Sequence, residues 1–130
     1  MKYTALTGIS PSVIAELKMG KPRTLELQSA HNIISLTDSS PGDCIFMTSI
    51  DLEDLSSGDP GIVVSLNAIN INMKRVVEYL NPLYFEERER MSARIQVRYL
   101  DSARVKDVEG QSWGKPTRVE LVRSACYHAG

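Results

Sequence analysis

The chain is 130 residues long, 42% hydrophobic and 24% charged, with 15 basic against 16 acidic residues and a formal net charge of −1. These values suit one globular domain over residues 1–130, exclude a disordered or low-complexity chain, and remove any bulk electrostatic argument for a dedicated nucleic-acid binder. No stretch nears the ~18 apolar residues of a spanning helix, and Met1 to Ser10 holds no signal-type apolar region, so a cytoplasmic protein without a membrane partner is expected.

Ser10-Pro11 followed by Val13, Ile14 and Leu17 is a helix start, with Ser as N-cap, Pro at the first helical position and apolar residues on one face; Gly20 ends it. Thr24 to Gln28 alternates polar and apolar, which predicts a short strand with Leu25 and Leu27 inward. Ser39 to Asp43 is a turn cluster in which Gly42 takes a positive φ, and the run Cys44 to Ile50 behind it suits a central strand. Asp51 to Gly61 is an acidic, breaker-rich loop leading to a second apolar strand, Ile62 to Leu66.

Met73, Val76, Val77 and Leu80 have helical spacing, and Asn81-Pro82 interrupts it, so Met73 to Met91 is expected to form two short helical pieces, with Glu86 to Arg90 as a solvated helix face. Ala93 to Tyr99 alternates strictly, placing Ala93, Ile95, Val97 and Tyr99 on one face and Arg94, Gln96 and Arg98 on the other. Val105 and Val108 mark another short extended piece, and Thr117 to Arg123 closes the sheet. The expected fold is α+β: a small, mainly antiparallel β-barrel with an N-terminal helix and one or two further short helices.

Groups that carry chemistry are few. Cys44 and Cys126 share no metal or redox spacing, and Cys44, in an apolar run, reads as a small buried hydrophobe. His31 and His128 are the two histidines, which leaves a His-dependent catalytic unit resting on His31. No metal or other cofactor is expected. Charge is unevenly spread: residues 1–87 hold six basic and eleven acidic residues, and residues 88–130 nine basic and five acidic.

Gly20-Lys21-Pro22-Arg23-Thr24-Leu25-Glu26-Leu27 with Pro41-Gly42-Asp43-Cys44-Ile45-Phe46 resembles the opening of the PUA-like superfamily, in particular its ASCH branch, with Gln28 where that pattern carries Arg. The whole chain is also similar to a small archaeal family of unknown function through Ala5 to Ile9 and Met91 to Val97. The PUA-like resemblance implies a pseudobarrel with a cleft beside the first helix that holds RNA or a nucleotide. On that reading Lys21, Arg23, Arg94 and Arg98 neutralise phosphate, Glu26 with Ser49 or Thr48 reads a base edge, and Trp113 is either a stacking residue or a lid over the barrel end. Two other readings stand beside it. Lys21 and Glu26 would be the charged centre of a small hydrolase or nuclease, and the Met73 to Leu80 stripe would serve an interaction scaffold or homodimer.

Overall fold

The computed structural model describes residues 2–81, 84–111 and 115–122, with 73–81 and 84–90 described by their backbone. Among them the elements run β1 (Lys2–Leu6), α1 (Pro11–Lys18), β2 (Arg23–Leu27), α2 (Ala30–Leu36), β3 (Cys44–Met47), a 3-10 turn at Leu52–Asp54, β4 (Pro60–Asn81), β5 (Tyr84–Glu109) and β6 (Arg118–Val122). Pro11 occupies the start of α1, where its missing N–H costs nothing, and Gly20 lies just beyond the last turn at φ 92°. Gly42 sits at φ 100°, the positive value expected of the turn before β3.

The strand order is β2-β5-β4-β3-β1-β6, and β6 returns to pair with β5. Strands β1, β3, β4, β5 and β6 therefore close a ring, with β2 as a further strand on β5. The β1–β3 ladder is parallel and the other five are antiparallel. The described residues are mostly sheet, with two α-helices among them. No helix of the described residues is long and apolar enough to cross a membrane.

Two apolar clusters hold the body together. The larger joins Leu17 of α1 and Ile33 and Leu36 of α2 to alternate residues of β2 to β5: Leu25, Leu27, Ile45, Met47, Ile62, Val64, Leu66, Ala93, Ile95 and Val97. Tyr3, Ala5, Phe46, Leu55, Val105 and Val119 form the smaller one. Successive residues of β1 and β3 enter different clusters, so these strands are buried on both faces, as continuous apolar runs require. Val63 is buried as well, and Leu121 packs half-buried against the smaller cluster.

Several sequence expectations are corrected. The described residues between Met73 and Met91 are strand and not helix: they continue β4 and β5 in antiparallel pairing from Met73 opposite Met91 to Tyr79 opposite Phe85, with a register shift before Asn81 opposite Tyr84. A ladder already formed between residues 60–72 and 92–104 adds each further rung without a new loop to close, whereas each short helix needs its own unfavourable nucleus. Glu86 to Arg90 is thus strand, and Val105 and Val108 belong to β5 rather than to a separate piece. The second helix is α2, within Ala30–Leu36. Cys44 is exposed, because it stands at the mouth of β3, one residue outside the buried stretch Ile45 to Met47. Cys126, His128 and Trp113 lie outside the described residues.

Candidate functional site

Strand β2 sets the geometry. Its period of two sends Leu25 and Leu27 into the larger cluster and leaves Thr24 and Glu26 on the exposed face. In register, Glu26 lies directly opposite Arg94 and Thr24 opposite Gln96; on the far side of β5, Arg94 faces Asn70 and Arg98 faces Ser65 of β4. Thr24, Glu26, Arg94, Gln96, Arg98, Asn70 and Ser65 therefore share one polar face across three strands. Arg23 has the parity of the buried residues, is half-buried at the strand's start, and pairs with Glu16 of α1.

A cleft of about 370 Å3 borders β2, lined by Gly8, Ile9, Ser10 and Val13 at the start of α1, by Arg23 to Gln28, and by Ser29 and Asn32 at the start of α2. It shares Gly8, Ser29 and Asn32 with the wall of a second hollow of about 330 Å3, which Thr7, His31, Asp51, Leu52 and Glu53 complete. Arg23 and Glu26 thus both line one cleft beside α1. Lys21 is exposed two residues before β2 and does not line this cleft, and neither do Arg94 and Arg98, which stand on the exposed face of β5. Ser49 lies elsewhere, in a cleft of about 490 Å3 with Lys18, Ser102, Arg104 and the glycine at 61. Thr48 is buried, its hydroxyl donating to the Pro60 carbonyl at 3.0 Å, which removes it from any base edge.

The floor of the paired hollows comes from α2, an element the sequence pattern does not announce. Its N-cap Ser29 accepts from the Asn32 N–H, and His31, Asn32 and Ser35 are buried beside Ile33 and Leu36. With polar and apolar residues buried alike, no amphipathic period is left to read. Each polar group has a structural bond. The Asn32 side-chain amide donates to the Thr7 carbonyl at 2.9 Å, and its oxygen accepts the Thr7 N–H at 3.0 Å, so one side chain continues β1 as a strand would. Ser35 Oγ accepts the Thr117 N–H at 3.1 Å. Thr117 Oγ1 donates to the Gly110 carbonyl at 2.7 Å, which leaves it to accept from His31 Nε2 at 2.6 Å and fixes the proton on that nitrogen. Burial holds the His31 imidazole below its ordinary pKa, in the neutral form that this bond uses.

Chemically, the site offers hydrogen-bonding side chains of both kinds around a neutral floor. One guanidinium, Arg23, is at its mouth, with carboxylates at Glu26, Asp51 and Glu53. Among the described residues, no group of three or more His, Cys, Asp or Glu side chains could hold a metal ion.

Residues 1–119 match the model of a family described as protein of unknown function, DUF473. The uncharacterized protein MJ0105 of Methanocaldococcus jannaschii is 31% identical over 104 residues, which cover 80% of this chain and 64% of that protein. The chain thus spans just under two thirds of the length of this curated relative. No solved structure matches it.

Proposed function

The chain belongs to the DUF473 family of proteins of unknown function, and we propose that it is a PUA-like, ASCH-type small β-barrel domain that binds RNA or a nucleotide without catalysing a reaction. One observation carries this reading. Arg23 and Glu26 line a single cleft beside α1, and Glu26 stands directly opposite Arg94 on the neighbouring strand, which sets a cation from a distant stretch of sequence beside a residue of the cleft.

The residues divide the work by chemistry. Ser10 and Ser29 in the cleft, with Glu26 at its edge, supply neutral and acceptor groups suited to the polar edge of a base. Arg94 and Arg98 stand on the exposed sheet face, where a nucleic-acid backbone leaving the cleft meets two cations. Lys21, exposed before β2, adds a third.

Titration of a labelled single-stranded RNA against wild type and Arg94→Ala/Arg98→Ala at two salt concentrations tests the proposal. Wild type should bind more tightly at low salt. The double variant should bind more weakly and with a flatter salt dependence, because fewer counterions are released, while its unfolding midpoint stays put. Absence of binding by wild type at about 50 mM salt, where electrostatic association is strong, overturns the reading.

A further inference from the structure

Beyond Ile71 opposite Ala93, where β2 ends, strands β4 and β5 continue as a two-stranded ribbon from Asn72–Ser92 to Asn81–Tyr84, and among the described residues no third strand pairs with it. At the usual rise of a strand this is an arm of roughly 30 Å. A lone two-stranded ribbon is at best marginal in water. The register makes this one less favourable still, because two of its rungs carry like charge: Lys74 opposite Arg90 near the root, and Glu78 opposite Glu86 near the tip. Like charges directly across a ladder destabilise it.

The charges are sorted along the arm. Rungs 74 to 76 hold Lys74, Arg75, Arg88 and Arg90 against the single carboxylate Glu89, while rungs 77 and 78 hold Glu78, Glu86 and Glu87 and no cation. The arm is therefore basic at its root and acidic toward its tip. A second arm laid alongside in the opposite direction sets tip against root twice over. Two copies related by a two-fold axis meet that way, so each contact is made in duplicate. By the alternation of a strand, Lys74, Val76, Glu78, Glu86, Arg88 and Arg90 share one face of the ribbon, and Val77, Tyr79 and Phe85 belong to the other. We propose that the ribbon is a self-association arm: two copies of this chain dimerise by stacking their ribbons antiparallel, acidic tip on basic root. This rests on ladder register and charge order and is independent of RNA binding.

The test uses the whole chain and sedimentation equilibrium. Wild type should be a dimer that weakens as salt rises, since the charges are screened. Lys74→Glu/Arg90→Glu makes root and tip both acidic, and Glu78→Lys/Glu86→Lys makes both basic; each variant alone should dimerise at least about tenfold more weakly. Mixed together, the two variants should form a heterodimer, and all four changes in one chain should restore the homodimer with its polarity reversed. Circular dichroism of each variant establishes that the body is folded. A monomeric wild type at low salt, single charge-swapped variants that dimerise as wild type does, or failure of the mixture to pair each overturns the proposal. So does a dimer that nuclease treatment abolishes, because nucleic acid would then be the occupant.

Discussion

Strand β5 passes through two environments. From Ala93 to Val97 it has β2 on one edge and β4 on the other, with Ala93, Ile95 and Val97 in the larger cluster; from Tyr84 to Ser92, β4 is its one strand partner among the described residues. In the first stretch the strand is specified twice, by its ladders and by the burial of alternate residues in the cluster. Along the ribbon only the ladder does so. The same strand thus teaches that period-two alternation is written into a sequence by one-sided burial, and that where burial stops, pairing alone leaves a pattern open to other readings.

This contrast can be broken or sharpened by substitution. The largest effect is expected at Gly61, where an added Cβ would fall within contact distance of the fully buried Phe46 ring and 2.6 Å from the Met47 carbonyl oxygen. Gly61→Leu should cost about 3 kcal/mol or prevent folding, because that backbone cannot give way without moving the core, and urea unfolding measures it. Next is Asn32→Ala, which leaves the buried Thr7 N–H and carbonyl without their partners; a loss of about 2 kcal/mol should appear as a lower denaturation midpoint. An unchanged midpoint would mean that α2 does not clamp β1. Gly42→Val should cost about 1 kcal/mol through its positive φ alone, since nothing lies within 4 Å of a Cβ built there, and Gly42→Asn should recover part of it. The ribbon charge swaps come last, shifting the unfolding of the body by at most about 0.5 kcal/mol. Unfolding of the body by those swaps would abolish the distinction between the two regions.

How far the fold could be read follows the same physics. Helix α1 announces itself through Ser10-Pro11 and Leu17, and β2 and the Ala93 to Tyr99 stretch through strict alternation, because in each the buried positions are apolar and their neighbours wet. Strand β1 gives no such signal, since Tyr3 and Ala5 face one cluster and Leu6 the other. The ribbon misleads because Met73, Val76, Val77 and Leu80 satisfy a helical template, while their place in a ladder depends on partners at 84–91. In the cleft, Arg23 and Glu26 are legible as charges flanking apolar strand residues. Ser10, Ser29 and Asn32 are not, because they are gathered by tertiary packing alone. Ser49, which the resemblance places with Glu26, is carried to a different cleft by the turn after β3.

Closure of the ring has a consequence for the order in which the chain can fold. Lys2 to Thr4 pair with Arg118 to Glu120, more than a hundred residues later, and Lys2 and Glu109 form an ion pair near this seam. A ribosome adding roughly 5–20 residues per second releases the first strand many seconds before the last. In that interval β3 can cover one edge of the first strand, while the other edge waits in water, and so does the face that will bury Tyr3 and Ala5. The slowest contact in the molecule is therefore the one between its earliest and latest strands, and the nascent chain is most vulnerable to wrong pairing along the edge that β6 finally seals.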